Sequence, residues 1–283
     1  MKFVTTILQQ AVKRNTIRSC SRLFSSGSPL VDVKVNDATG IATVKLGRAP
    51  VNCLNTELLL ALNQTLDNLE NNNAKGMILT SSLPNIFSAG LDLLELYNST
   101  PEKLAKFWTT LQTTWINLYS SPFPTVALIN GNAPAGGCQF AMSCEYRIML
   151  SNKYVIGLNE TQLGLSAPRW FQDTMISVIG QRQTELALTH GKLFTSKEAL
   201  QIGLIDEEVA TEEEAVASAE KFFQLFSKIP RFARSQTKNN VRANVLDWLL
   251  TNREKDTQIF VESVSLPHVQ KTLGMYLQSL KKK

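Results

Sequence analysis

One junction constrains the fold of this chain more than any other feature, because it joins an apolar run to a helical pattern through small residues. Residues 125–129 read Thr-Val-Ala-Leu-Ile, and residues 130–139 read Asn-Gly-Asn-Ala-Pro-Ala-Gly-Gly-Cys-Gln. The pattern predicts a buried strand, a tight turn and the start of a helix. Free backbone N–H groups at a helix N-terminus are positively polarised, so this junction is suited to hold an anion or a developing oxyanion.

Strand-like and helix-like segments alternate along residues 31–210, which predicts an α/β core domain with crossover connections. Thr56 is predicted to cap a first helix, and a second helix is predicted from Pro101 to Tyr119. The other predicted strands are 31–36, 41–46, 76–80, 147–150, 154–156 and 204–209.

Residues 211–283 read almost entirely as helix, with breaks near Pro230 and Pro267. We predict that this C-terminal helical region covers the core or a neighbouring subunit.

Charge is unevenly distributed along the 283 residues. Residues 1–31 contain no acidic side chain and five basic ones, which are Lys2, Lys13, Arg14, Arg18 and Arg22. Without these five, the 29 basic residues fall to 24, which equals the number of acidic residues. A neutral body argues against a nucleic-acid partner. No apolar run approaches the roughly 20 residues of a membrane span, so we predict no stable membrane insertion.

The basic N-terminal segment is also rich in Ser and Thr and has an amphipathic pattern, which is typical of a mitochondrial transit peptide. We predict that residues 1–24 are such a peptide, cut after Phe24, and that the protein works in the mitochondrial matrix. A disordered basic tail is the alternative. The four cysteines lack paired metal-ligand spacing, and a reducing matrix keeps them as thiols.

The turn at Gly131 is close to a phosphate-binding P-loop but lacks its side chains. Gly137 stands where a P-loop carries lysine, and Cys138 stands where it carries Ser or Thr. The chain also has only two histidines, His190 and His268. That scarcity disfavours a histidine-rich metal site and a Ser-His-Asp hydrolase. His190 precedes a glycine at a predicted helix end, where pairing with the helix dipole is its simpler role.

A second small-residue turn, Phe87-Ser88-Ala89-Gly90-Leu91-Asp92-Leu93, follows the strand at 76–80 as the Gly136 turn follows 125–129. Two such turns at the same edge of a sheet can aim two N–H groups at one point. Converging donors stabilise the oxyanion of a thioester, and removing one costs about 3 kcal/mol of transition-state stabilisation. A purely steric role for the glycines is the alternative.

Four segments occur in a fixed order: residues 87–92, residues 129–138, the string Gly-Leu-Asn-Glu-Thr-Gln-Leu-Gly at 157–164, and residues 198–206. Together they resemble the crotonase (enoyl-CoA hydratase/isomerase) superfamily, and most of all its mitochondrial members that isomerise enoyl-CoA double bonds. The resemblance runs from about residue 31 to the end. It implies a crotonase-like spiral of ββα units with a helical C-terminal region, and usually a homotrimer.

The same resemblance implies a site for an acyl-CoA thioester. The backbone N–H groups of Leu91 and Gly136 would form the oxyanion hole, and Glu160 would be the catalytic residue. The implied substrate-binding positions are Ala89, Gly90, Leu91, Asp92, Leu93, Gly136 and Asn159. No metal or redox cofactor is implied, since CoA belongs to the substrate. Three basic residues are candidates to bind the CoA phosphates, although a solvated surface position explains each of them more simply. They are Arg48, Lys271 and Lys281.

The residue at position 139 bears on the choice between a hydratase and an isomerase. Hydratases of this superfamily carry two glutamates, one just after the glycine turn and one at the position of Glu160. The first position here is Gln139, which cannot ionise. Isomerisation needs only one movable base, whose pKa an apolar pocket would raise.

We therefore expect an isomerase that moves the 3-cis or 3-trans double bond of an enoyl-CoA to 2-trans in mitochondrial β-oxidation of unsaturated fatty acids. A hydratase of the same family and a non-catalytic acyl-CoA-binding protein are the alternatives. The local sequence also allows a purely structural alternative, in which Glu160 only stabilises a helix N-terminus that is capped by Asn159.

Overall fold

Ten strands form a six-stranded and a four-stranded sheet in the computed structural model, which describes residues 30–151 and 154–281. The strands are β1 (Val31–Asn36), β2 (Ile41–Leu46), β3 (Gly76–Ser81), β4 (Asn85–Ile86), β5 (Thr125–Ile129), β6 (Gly131–Pro134), β7 (Tyr146–Leu150), β8 (Val155–Gly157), β9 (Phe194–Thr195) and β10 (Glu207–Val209).

The helices between and after the strands are α1 (Thr56–Asn71), α2 (Leu93–Leu96), α3 (Pro101–Tyr119), α4 (Gly136–Ser143), α5 (Arg169–Ile179), α6 (Gln181–His190), α7 (Ser196–Gln201), α8 (Glu212–Gln224), α9 (Arg231–Val241), α10 (Ala243–Ser265) and α11 (Pro267–Lys281). A short 3-10 helix spans Glu160–Leu163.

The two sheets are built together as the chain winds. The larger sheet has the order β1-β2-β3-β5-β7-β10, in which only β1 and β2 pair antiparallel. Each of β3, β5 and β7 is followed in the chain by a strand of the smaller sheet, whose order is β4-β6-β8-β9. Helices α2 and α3 follow β4, and α4 follows β6. The ββα repeat that the resemblance implies is therefore confirmed.

Strands β3 and β5 are buried along their whole length, because helices cover both faces of the larger sheet. Met77 and Leu79 join the main core together with leucines of α1, whereas Ile78 joins a second core on the opposite face. Helix α8 closes that second core with Ala215, Ala219 and Phe223. The first helix after the last strand thus belongs to the packing of the sheet.

A buried carboxylate fastens α10 to the core. Asp256 is 5% exposed and accepts hydrogen bonds from Trp108 Nε1 at 2.7 Å, Gln112 Nε2 at 2.8 Å and Trp170 Nε1 at 3.2 Å. Trp108 and Gln112 lie one turn apart on α3, and Trp170 lies at the start of α5. Because a buried charge is costly unless it is hydrogen-bonded, these donors make the docked position of α10 specific.

The structure confirms the predicted helix breaks at Pro230 and Pro267 and corrects other details. Asn55 caps α1 in place of Thr56, since its side chain accepts from the N–H of Leu58. The last strand is shorter than the predicted 204–209. Residues 131–134, predicted as part of a turn, pair as strand β6 with β4 and β8.

Some predictions are left untested by the fold. Residues 1–24, the predicted transit peptide, lie outside the described residues, and the domain limits 31–210 and 211–283 stay predictions. Within 30–151 and 154–281, no helix is long and apolar enough to span a bilayer.

Candidate active site

The backbone N–H of Leu91 is aimed by the bonds of its neighbours. The N–H of Leu54 donates to the carbonyl of Gly90 at 2.8 Å, and the N–H of Asp92 donates to the carbonyl of Leu54 at 3.1 Å. In a planar trans peptide the carbonyl and the N–H point in opposite directions. The Leu91 N–H therefore points away from Leu54, and it donates to no acceptor within the part of the chain that the structure describes.

The N–H of Gly136 is aimed in the same way at the start of α4. Its peptide carbonyl, that of Ala135, accepts from the N–H of Gln139 at 3.0 Å. Ala135 itself has φ +50° and ψ −121°, a conformation that costs a non-glycine residue about 1–3 kcal/mol. Among the described residues the Gly136 N–H has no acceptor, as expected for the first residue of a helix.

The two glycine turns are in direct contact. A Cβ built on Gly90 would lie 3.0 Å from the nitrogen of Gly136, and Gly90 also has φ +88°. A Cβ on Gly137 would lie 2.5 Å from the carbonyl oxygen of Ser88. The glycines are thus sterically required, and this close approach places the nitrogen of Gly136 next to Gly90, the residue that precedes Leu91.

Glu160 opens the 3-10 helix that follows β8, and one oxygen of its carboxyl group has no polar partner among the described residues. Its Oε2 is buried and has no hydrogen bond from any described residue. Burial raises the pKa of Glu160 to about 7, although a bond to its own backbone N–H acts in the opposite direction. Asn159 makes no side-chain capping bond, so the local capping alternative is not what the structure shows.

Glu160 lies within electrostatic reach of the first turn of α4. Burial raises the pKa of the Cys138 thiol, and the Glu160 carboxylate raises it further. Glu160 also lines a cavity of about 290 Å³ between the 3-10 helix and helices α5 and α6. Among its described lining residues are Leu158, Thr184 and Glu185, but neither Leu91 nor Gly136. This cavity is therefore not where the described residues bring Glu160 and the glycine turns together.

Gln139 is completely buried and points at α5. Its Nε2 donates to the Oγ1 of Thr174 at 3.1 Å, while its Oε1 has no partner among the described residues. A neutral amide therefore occupies the position where the resemblance places the first glutamate of a hydratase.

The other residues predicted to bind substrate or CoA have different structural roles. The Asp92 carboxylate pairs with Arg48 at 2.8 Å and also accepts from the N–H of Leu94, so it caps α2. Arg48 is therefore a partly buried ion-pair partner and not a solvated surface cation. The N–H of Ala89 donates to the carbonyl of Val51 at 3.0 Å, and Leu93 is the first residue of α2.

The other two basic candidates belong to α11. Lys271 is exposed on α11, and the side chain of Lys281 lies outside the description. His190 ends α6 as predicted. Within 30–151 and 154–281, no group of three or more His, Cys, Asp and Glu side chains is arranged to hold a metal ion.

Sequence reasoning missed Leu54 and Asn52, which hold the segment that carries Leu91. Leu54 acts through its backbone, for which no residue type is diagnostic. Asn52 has φ +50°, and an asparagine before a predicted helix is a weak signal for such a conformation.

Comparisons with known proteins show the family of this chain. The family model described as enoyl-CoA hydratase/isomerase matches residues 36–283. The Mus musculus protein "Enoyl-CoA delta isomerase 1, mitochondrial" is 43% identical over 265 residues, which cover 93% of this chain and 91% of that protein.

Two solved structures share the fold. The crystal structure of human mitochondrial delta3-delta2-enoyl-CoA isomerase matches with a TM-score of 0.87 and 42% identity, covering 90% of this chain and 99% of that one. The enoyl-CoA hydratase from Bacillus halodurans matches with a TM-score of 0.77 and 25% identity, covering 87% of this chain and 100% of that one.

Proposed function

This chain belongs to the enoyl-CoA hydratase/isomerase family, and from that premise we propose that it moves the 3-cis or 3-trans double bond of an enoyl-CoA to the 2-trans position in mitochondrial β-oxidation of unsaturated fatty acids. The observation that carries the choice of isomerase is an ionisable carboxyl group with a raised pKa at Glu160, together with a neutral amide at Gln139. One movable base is what a proton shift requires.

In the proposed reaction, the Glu160 carboxylate takes a proton from C2 of the 3-enoyl thioester. The electron pair of the broken C–H bond delocalises onto the thioester oxygen, to which the N–H groups of Leu91 and Gly136 donate. Protonated Glu160 then delivers the proton to C4, while the double bond forms between C2 and C3 and the carbonyl is restored. The proton taken from C2 is delivered to C4, and no electrons are gained or lost overall. We therefore propose no cofactor beyond the CoA of the substrate.

The buried position of Glu160 suits both steps. A group that first accepts and then donates a proton works best when its pKa is close to the working pH. A carboxyl group with a pKa of about 7 is half ionised at neutral pH. Neither gaining nor losing the proton therefore costs this side chain much free energy.

Two other functions are less well supported. A hydratase would need a second acid to activate water, and the family position for it holds Gln139, bonded to Thr174. A non-catalytic acyl-CoA-binding protein would not need a carboxyl group whose pKa is raised toward neutrality. It would bind acyl-CoA without exchanging its C2 protons.

Replacing Glu160 by Gln tests the proposal, because the amide keeps the shape and cannot take a proton. We expect kcat for 3-enoyl-CoA isomerisation to fall by roughly 10²–10⁴-fold. The assay is run across acyl lengths, together with hydration of a 2-enoyl-CoA.

Glu185→Gln is the matched control, because Glu185 lines the same cavity with its side chain 56% exposed. It should keep wild-type activity. Near-normal isomerisation by Glu160→Gln would remove Glu160 from the mechanism. Hydration as fast as isomerisation by the wild type would favour the hydratase, and binding without C2 exchange would favour the non-catalytic alternative.

We further propose that the protein acts as a homotrimer in the mitochondrial matrix. The support is the family membership, together with mitochondrial naming of relatives and the basic, acid-free segment at residues 1–31. Light scattering of the protein without residues 1–24 would measure its mass, and import into isolated mitochondria would test the leader.

A further inference from the structure

A completely buried asparagine joins the loop after β2 to the segment that carries Leu91. The Nδ2 of Asn52 donates to Ser81 Oγ at 2.8 Å and to the carbonyl of Phe87 at 3.1 Å. Its Oδ1 accepts from the N–H of Arg48 at 2.8 Å. One side chain thus fixes three separate stretches of backbone.

The backbone of Asn52 continues this network into the glycine turn. Its carbonyl accepts from Ser88 Oγ at 2.7 Å, and the same Ser88 oxygen accepts from the N–H of Gly90 at 3.2 Å. The carbonyl of Ser88 in turn lies against Gly137 at the start of α4. The network therefore ends on both turns that carry the proposed oxyanion donors.

From this arrangement we propose that Asn52 is a positioning residue, which sets the direction of the Leu91 N–H toward the substrate oxygen without contacting substrate. The role rests on the proposed function. Asn52 is suited to it because asparagine tolerates the left-handed conformation at φ +50°, which the loop needs to turn back toward Ser88. A side chain without both a donor and an acceptor could not satisfy the Phe87 carbonyl and the Arg48 N–H together.

Asn52→Gly tests the proposal, because glycine accepts the positive φ and removes only the side chain. A lost oxyanion donor lowers kcat by about 10²–10³-fold, and a misdirected one by less, so we expect about a tenfold fall in kcat with KM changed less than threefold. The second readout is the ultraviolet absorbance of the enolate of a bound 3-ketoacyl-CoA. We expect its apparent pKa to rise in the variant.

Asn63→Ala is the matched control, because Asn63 is a buried amide of α1 that donates to Thr114 Oγ1 far from the glycine turns. It should lose stability without changing kcat or the enolate pKa. Ser88→Ala provides a milder break in the same network if Asn52→Gly folds poorly, and it should change both readouts in the same direction.

Loss of kcat equal to that of the control, or an unchanged enolate pKa in both network variants, would overturn the proposal. The proposed function is tested separately by isomerisation in the wild type. The enolate absorbance reports on the two donors even if the wild-type protein does not isomerise.

Discussion

Gln139 is completely buried and Glu160 is partly buried, and each has one buried side-chain oxygen without a partner among the described residues. Their chemistry differs because only the carboxyl group can change its charge. Burial makes the charged form of Glu160 costly and thereby raises its pKa to about 7. At this scale, a single buried acid sets the pH range of the proposed proton transfer.

The raised pKa of Glu160 predicts a pH dependence with a definite sign. The base must be ionised to accept the C2 proton, so kcat/KM should fall about tenfold per unit below pH 7 and level off above it. Stopped-flow or coupled assays from pH 5 to 9 measure this profile, with Glu185→Gln expected to reproduce it. A break near pH 4.5, the ordinary value for glutamate, would contradict the proposed environment.

At the scale of secondary-structure elements, backbone contacts set the distance between the two glycine turns. The carbonyl of Ser88 lies against Gly137, and Gly90 lies against Ala135 and Gly136. Since no flexible side chain intervenes at the first contact, a small change in α4 must move the turn that contains Ser88. The spacing of the donors is therefore a property of how these elements pack.

Gly137→Ala should separate the turns, because its Cβ would lie 2.5 Å from the Ser88 carbonyl oxygen. Alanine favours a helix over glycine by about 1 kcal/mol, which offsets part of the strain. We expect kcat to fall by at least tenfold with a modest change in the free energy of unfolding. Gly203→Ala has open space but φ +77°, so it should lose stability and keep kcat. Equal kcat values for both variants would contradict this.

Sequence patterns predicted the long elements and missed the short ones for a physical reason. Leucines at helical spacing in α1 and the apolar run of β5 bury side chains, and burial leaves a periodic signal. Strand β6 reads Gly-Asn-Ala-Pro and forms only because β4 and β8 supply hydrogen-bond partners. Glu160, Leu91 and Gly136 were predicted from motifs, whereas Leu54 acts through backbone atoms that leave no motif.

On the scale of the whole molecule, the C-terminal helices pack onto the ββα core at separate places. Helix α8 covers one face of the larger sheet, and α10 is held on α3 and α5 by Asp256. The indoles of Trp108 and Trp170 also meet edge to face, at 5.8 Å between ring centroids. The docking of α10 thus combines a polar contact with aromatic packing.

Asp256→Ala should weaken that docking, because it leaves three buried donors without their acceptor. Each buried unsatisfied group costs about 1–3 kcal/mol, so we expect about 2–4 kcal/mol less stability after partial relaxation. Denaturant unfolding measures the loss, and limited proteolysis should cut first between residues 242 and 281. Glu262→Ala, on the exposed face of the same helix, is the control. An unchanged midpoint for Asp256→Ala would exclude Asp256 as the contact that holds α10.

The proposed donors of Leu91 and Gly136 are peptide groups, and this has a genetic consequence. Any residue except proline supplies the same N–H. A single codon change can delete the Glu160 carboxyl group, but only a change to proline can delete a donor directly. Mutational drift would therefore erase proton transfer more readily than thioester binding. A saturation library should show this asymmetry, with many inactive variants that still retain acyl-CoA.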